Sequence, residues 1–394
     1  MGARMIGTKA YGIRAPIIKS GDDISEIVVN AVLEAVKTDN ITLNDGDVIG
    51  VTESVVAKAQ GNYADLRQIA GDVRQKTGGK KVGLVFPIFS RNRFSVLLKA
   101  IAKGCDELFV QLSYPSDEVG NSLVTLDLIE EKGISPFSDS FDEQGFRNVF
   151  GDKTVHTFTG VDYIDFYKSM SDNITVLLSN EVNHILKYTD CVIACDIHTR
   201  ARTKRRLKEA GAKIVLGLDD ILASPFDGSG YNEQYGLLGS NKATEDSVKL
   251  FPRGCDAYVL NIQKELKNKT GKNIEVMIYG DGAFKDPVCG IWELADPVVS
   301  PAHTAALTGT PNELKLKFIA DNEFAALSGK ELEEAVKNSI REKDGDLYGK
   351  MASEGTTPRH ITDLLGSLCD LISGSGDKGT PIILIQGYFD NYSK

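Results

Sequence analysis

One short stretch constrains this chain most. Ile274-Glu275-Val276-Met277-Ile278-Tyr279 is an apolar, β-branched run that stops abruptly on Gly280-Asp281-Gly282. It reads as a buried strand with a carboxylate at its carboxyl end. The flanking glycines let other backbone approach closely. Asp281 is therefore a candidate for a metal or phosphate-side role. An ordinary turn aspartate after a strand gives the same pattern, so the rest of the chain has to decide.

The neighbouring stretches supply more strand ends. Pro16 argues against a helix in Ile13-Arg14-Ala15-Pro16-Ile17-Ile18. Ser20, Asp22 and Asp23 then offer caps for a helix over about 24–36, whose apolar residues follow the helical period. Asn44-Asp45-Gly46-Asp47 is a turn that launches a strand over 48–52. Glu53, Ser54 and Lys58 follow that strand, before Gly61. A lysine there reaches a phosphate as a point charge or stands as a solvated surface residue. No GxxxxGK[ST] run exists, which excludes a P-loop.

The middle of the chain alternates strand and helix. Strands are predicted over 81–87, 107–112, 190–195 and 213–218, with helices over 93–103 and 202–210. This is a βαβ pattern. Ser90-Arg91-Asn92-Arg93 sits between strand and helix, where a helix start and two guanidiniums suit an anion. Asp196-Ile197-His198-Thr199-Arg200 lies at a strand's carboxyl end without GxGxxG, and His198 reads as a turn or surface histidine. Arg200, Arg202, Lys204, Arg205 and Arg206 form a solvated basic face or an anion site. Residues 137–152 read as a long loop, and 227–239 as a return crossing. A helix over 256–269 ends at Gly271, and a charged helix spans 330–343. Asp346-Leu347-Tyr348-Gly349 makes a turn. Thr357-Pro358 starts the last helix, which ends on Ser373-Gly374-Ser375-Gly376-Asp377-Lys378-Gly379-Thr380-Pro381 before a strand over 382–385. That loop cradles phosphate through its amides, or is a flexible connection.

Composition narrows the class. At 394 residues the chain is long enough for two to three domains. A net charge of -10 argues against a general nucleic-acid binder. No apolar run approaches the ~18 residues of a membrane helix, and Met1-Gly2-Ala3-Arg4 opens no signal peptide. The six cysteines form no CxxC pair and read as reduced thiols of a cytoplasmic protein.

Four blocks in order resemble the coenzyme F420-0:gamma-glutamyl ligase family. They are Pro16 through Asp23; Asp45-Gly46-Asp47 through Lys58 and Gly61; Gly239-Ser240-Asn241 through the Asp281 strand; and Asp346-Leu347-Tyr348-Gly349 through the last helix, loop and strand. The likeness covers about half of the chain. It implies an α/β fold, with a ligase-like core over 1–80 and 232–394 and an inserted α/β lobe over 81–231. It also implies an intertwined homodimer without nucleic-acid or membrane partners. The implied reaction uses GTP (or ATP) and Mg2+ or Mn2+ to activate a small-molecule carboxylate as an acyl phosphate, which an amino acid such as L-glutamate attacks. Family nucleotide contacts fall on Ala15, Pro16, Ile17, Ile18, Glu53, Ser54, Lys58, Asn241, Ser373, Gly374, Ser375, Gly376, Asp377, Lys378, Gly379 and Thr380. One family metal ligand falls on Asp281. Two others fall on Leu238 and Ser375, which are not carboxylates. The alternative is a ligase fold that binds a nucleotide or other phosphate ligand without ligation.

Overall fold

The structure is a computed structural model that describes residues 5–151, 154–156, 159–282, 295–347, 349–353, 359–374 and 376–393. Met1, Gly2, Ala3, Arg4, Tyr348, Thr357, Pro358 and Ser375, all named above, lie outside the described residues, as does Cys289 among the six cysteines. The strands in chain order are β1 (Lys9–Ile13), β2 (Val48–Thr52), β3 (Tyr63–Asp65), β4 (Lys81–Val85), β5 (Glu107–Leu112), β6 (Phe141–Asp142) and β7 (Ile174–Leu178). They continue with β8 (Cys191–Ala194), β9 (Ile214–Gly217), β10 (Asn241–Thr244), β11 (Ser247–Lys249), β12 (Glu275–Tyr279), β13 (Ala302–His303) and β14 (Ile382–Gln386).

Among the described residues these strands make three sheets, a mixed α/β architecture. The first has the order β1-β14-β2-β12-β13, with β2 and β12 parallel and the other pairs antiparallel. Its central strands are apolar without interruption because both faces are covered. Ile49, Val51, Val276, Ile278, Ile382 and Leu384 pack against the helices Ile24–Thr38 and Cys255–Thr270. The alternate residues Val48, Met277, Tyr279, Ile383 and Ile385 meet Leu365 and Cys369 of the helix Ile361–Ile372. Gly50 is needed for that second contact. A Cβ there would stand 2.5 Å from the Cys369 sulfur.

The second sheet has the order β6-β7-β5-β4-β8-β9, parallel except at β6. The chain runs outward from β4 to β5 and β7, then returns to add β8 and β9 on the other side. The order reverses between β4 and β8, the usual ligand crevice of a doubly wound sheet. The third sheet, β10-β11-β3, joins residues 241–249 to 63–65. No part of the six-stranded sheet comes from outside 81–217. Its core nevertheless draws in Leu66, Ile69 and Val73 of the helix Leu66–Thr77, along with Leu237, Leu238 and Leu250. We propose the inserted lobe as an independent sheet whose packing reaches past its chain boundaries.

Several local expectations change. Residues 137–152 are not one loop: β6 is followed by the helix Glu143–Phe150, which buries Phe146 and Phe150. Its Gly and Asp content suggested a loop, but Asp142 caps the helix by accepting from the Gly145 amide. The last helix begins at Ile361. Within the 200–206 basic face Arg202 and Arg205 are exposed, and the other three cations are paired. Arg200 pairs with Asp219, Lys204 with Asp220 and Arg206 with Glu181. Asp23 caps the helix Ile24–Thr38 as expected, accepting from the Glu26 amide at 3.0 Å. The five described cysteines are free and buried. No helix among the described residues is long and apolar enough to cross a membrane.

Candidate functional site

Strand register builds the site. Thr52 of β2 stands opposite Tyr279 of β12, and Val51 opposite Ile382 of β14. The carboxyl ends of β2 and β12 and the amino end of β14 therefore share one sheet edge, each strand roughly 4.8 Å from the next. The Thr52 amide donates to the Pro381 carbonyl at 3.1 Å. Glu53-Ser54, Asp281 and the 379–381 backbone become neighbours, although more than three hundred positions separate the outermost of them.

Asp281 is held from two sides. Arg93 Nη2 lies 2.6 Å from Asp281 Oδ2, while its Nη1 lies 2.7 Å from Asp296 Oδ1. Asp296 Oδ2 also accepts from the Asp281 amide at 2.8 Å. The Gly282 amide donates to Asp370 Oδ2 at 2.9 Å. The two glycines make this closeness possible. A Cβ on Gly280 would collide with the Asp296 carboxylate, and one on Gly282 would stand 2.7 Å from the Ser367 backbone. The Asp296 side chain is only 2% exposed and that of Arg93 16%, so each needs the other's charge. Burial works against the Arg93 charge, but Asp296 and Asp281 outweigh it and hold the guanidinium above its ordinary pKa. Burial pushes the Asp370 carboxyl up as well.

Glu53 is the second buried charge. It opens the helix Glu53–Ala59 and is 4% exposed. Its Oε1 lies 3.4 Å from Lys249 Nζ, which also donates to Ser54 Oγ at 2.6 Å. Among the described residues its Oε2 has no hydrogen-bond partner. Burial raises the Glu53 carboxyl to about 7. Lys249 pulls against that rise, Asp296 adds to it, and Arg93 opposes it. Asn241 stands opposite Lys249 in the β10–β11 pair, and it is Lys249 that reaches Glu53 and Ser54.

The remaining predicted residues fall into two groups. The Ala15 amide donates to the Gly379 carbonyl at 3.2 Å, which ties the 15–18 segment to the glycine-rich loop. Within that loop the Gly374 amide donates to Thr380 Oγ1 at 3.0 Å. Among the described residues the Gly376, Asp377 and Lys378 amides donate to no protein acceptor. Ser373 Oγ donates to the Asp370 carbonyl at 3.1 Å, so the loop starts beside the carboxylate that holds Gly282. Pro16 lines an open concavity with Lys378 and Thr380. Ile18 is buried in the core. The side chains of Ile17 and Lys58 are exposed and lie outside the hydrogen-bonded group, with Lys58 one helical turn beyond Ser54.

Sequence reasoning missed Lys249, Asp296 and Asp370, and cast Arg93 as an anion holder without naming its partners. Lys249 had a weak signal, being the only cation in a short strand that could pair with the Asn241 strand. Asp296 and Asp370 had none.

The donor set bears on metal binding. Among the described residues no three His, Cys, Asp or Glu side chains group as metal ligands. Asp281 and Asp296 instead share a guanidinium. A closed protein cage does not fit this edge. A magnesium ion delivered by nucleotide phosphates and touched by one carboxylate does, since Mg2+ is commonly held that way.

Comparison with known proteins adds a family. The profile described as F420-0:Gamma-glutamyl ligase matches residues 12–387. A segment of 83 residues is 34% identical to the coenzyme F420:L-glutamate ligase of Methanothermobacter thermautotrophicus, covering 20% of this chain and 30% of that protein. Another of 57 residues is 40% identical to an uncharacterised protein of Methanocaldococcus jannaschii, covering 14% of this chain and 18% of that one. The matches thus span less than a third of either relative.

Proposed function

The chain belongs to the F420-0:gamma-glutamyl ligase family, and from that premise we propose a nucleotide-dependent amide ligase. In this reading a substrate carboxylate oxygen attacks the terminal phosphate of GTP or ATP and the nucleoside diphosphate leaves. The amine of an amino acid such as L-glutamate then attacks the acyl carbon and inorganic phosphate departs. The observation that carries the reading is the shared edge of β2, β12 and β14. It brings two fixed cations, Arg93 and Lys249, to strand ends that also carry Ser54, Asp281 and the loop amides.

Phosphoryl transfer asks for positioning and charge neutralisation more than for covalent help. The loop amides from Gly376 to Lys378 would cradle phosphate oxygens, with Ala15, Pro16, Glu53, Ser54 and Asn241 around the nucleotide and Lys58 reaching in from the helix face. Mg2+ or Mn2+ would be held by Asp281 together with the phosphates and would offset their charge. Arg93 keeps Asp281 and Asp296 oriented and compensated until the ligand arrives. A homodimer belongs to the same proposal. Among the described residues β1 leaves an unpaired strand edge beside an open concavity of about 1570 Å³, and a second copy would cover it. Light scattering at micromolar concentration tests this, and a clean monomer counts against it.

The Arg93–Asp281 pair also favours a second reading, in which nucleotide binds and no ligation follows. Calorimetry with a nucleotide panel, with and without Mg2+ or Mn2+, tests what both share. Binding of GTP or ATP is expected, with Lys58→Ala weakening it by about 1.5–3 kcal/mol, the scale of a charged hydrogen bond. Absence of binding under every condition overturns both. Release of phosphate that needs glutamate and a carboxylate acceptor separates them.

A further inference from the structure

A second cavity opens on the other side of Arg93. Its volume is about 1020 Å³, and Asp281 forms part of its wall. Unlike the strand-edge site, it is built largely by the 81–231 segment. The loop after β4, Ile88 through Arg93, forms one side, the helix Tyr163–Lys168 and Met170 another, and Lys242 of β10 a third. The volume sits at the upper end of ordinary ligand pockets.

The cleft combines a charge with an apolar surface. Arg91 lines it, exposed, with no ion-pair partner among the described residues. The amides of Arg91 and Asn92 likewise donate to no protein acceptor. The other cations here are already paired, Lys99 with Asp246, Lys242 with Glu245 and Arg93 with Asp281 and Asp296. Arg91 is thus the cation left for an incoming anion. The helix Tyr163–Lys168 and the turn after it supply the apolar surface. Phe166 and Met170 stand one helical turn apart, half-buried, beside the buried Tyr163, which stacks on Phe89 with ring centroids 5.5 Å apart.

We propose that this cleft binds a small anion with an apolar or aromatic body. Its charged group pairs with Arg91 and its body lies on Phe166 and Met170. Asp281 closes the cleft toward the strand edge, so a ligand seated here reaches the place where the nucleotide is proposed to react. The occupant is then the carboxylate acceptor of the ligase. That last assignment rests on the ligase reading; the site itself does not.

Methionine methyl NMR on the full chain tests the site. Met170 lines the cleft, Met277 lies in β12 behind Asp281, and Met351 is exposed elsewhere. The probes are 1-naphthyl phosphate, 2-naphthol and inorganic phosphate, with GTP and Mg2+ titrated separately. 1-Naphthyl phosphate should shift the Met170 signal, and each of the other two small probes should need about tenfold more. Arg91→Ala should weaken 1-naphthyl phosphate by about tenfold, the worth of one charge-assisted hydrogen bond, and leave 2-naphthol unchanged. Phe166→Ala should weaken both aromatic probes. A silent Met170, an equal shift of Met351, or wild-type affinity in Arg91→Ala overturns the proposal. A Met277 response to GTP with a silent Met170 discards the cleft and keeps the ligase reading. A Met170 response to 1-naphthyl phosphate without any effect of GTP keeps the cleft and discards the reading.

Discussion

The carboxyl edges of the two large sheets both bury carboxylates, and they satisfy them in opposite ways. After β5, Asp117 accepts from the Phe89, Val119 and Asn121 amides and from the Asn121 side chain, at 2.7–3.1 Å. Its neighbour Glu118, an exposed residue, accepts from the Ile197 and His198 amides. These partners are neutral and come from the same sheet's own loops. At the five-stranded sheet, Asp281 and Asp296 depend on a guanidinium sent across from the loop after β4. Among the described residues Glu53 pairs with one lysine and keeps one oxygen without a hydrogen-bond partner. Neutral amides lock a carboxylate into scaffold. A carboxylate held by a cation can give up part of that charge to an incoming anion, which suits the edge where the nucleotide is proposed to react.

The sharpest way to break this comparison is to remove the shared cation. Arg93→Ala leaves Asp296 buried and uncompensated, and Asp281 with it. Removing one partner of a buried pair typically costs about 3–5 kcal/mol. The denaturant midpoint should fall accordingly, and Arg93→Lys should recover part of the loss because an ammonium cannot span both carboxylates as a planar fork does. A wild-type midpoint for Arg93→Ala would mean that the two sheets do not lean on each other here.

The matching change at the scaffold edge should cost less and touch less. Asp117→Ala strips several backbone donors of their acceptor at once. Water reaches part of the gap, and about 2–3 kcal/mol of stability should go. Nucleotide binding by the folded protein should stay as in wild type. If Asp117→Ala instead abolished binding at full stability, the division into scaffold and reactive edges would fail.

The two edges also differ in how far sequence could see them. In the six-stranded sheet β4, β5, β8 and β9 follow from local strand–helix alternation, while β6 and β7 went unread. The Asp281 strand was legible for the same reason, and its glycines marked a close approach that Asp296 and Ser367 make. The partners were hidden by distance along the chain. Arg93 meets Asp281 across 188 positions and Lys249 meets Glu53 across 196. No periodicity connects such positions; the register of β11 with β3 sets Lys249 opposite Tyr63, and the Lys242 amide donating to the Asn92 carbonyl ties the Arg93 loop to β10. The helix Glu143–Phe150 was missed for a different reason. Its two core phenylalanines stand among glycine, aspartate and asparagine, and tertiary packing decides its state more than propensity does.

Glu53 gives the finest test, because its signal is a pH slope that the scaffold edge shares only in part. Burial lifts its carboxyl from an ordinary 4.5 to about 7 in the folded chain. Between those values the folded protein holds a proton that the unfolded chain has released. Stability attributable to Glu53 is therefore greatest below pH 4.5, falls as pH rises toward 7, and levels off above it. The charged form is then tolerated only through Lys249 and, more remotely, Arg93. Asp117, lifted by burial from 3.8 to about 6, adds a slope of the same sign at lower pH, so the wild-type curve alone cannot separate them. Glu53→Gln does. The amide keeps the size of the group and removes its titration, leaving the Asp117 slope in place. Unfolding free energies of both proteins from pH 5 to pH 8 should diverge. The variant should gain about 1–2 kcal/mol on wild type across the window, below the roughly 3 kcal/mol that the whole shift would give, because Lys249 loses its counter-charge. The divergence should centre between pH 5 and 7 and be flat above. Parallel curves would show that Glu53 is charged in the fold at no cost, and the contrast between the two edges would then rest on Arg93 alone.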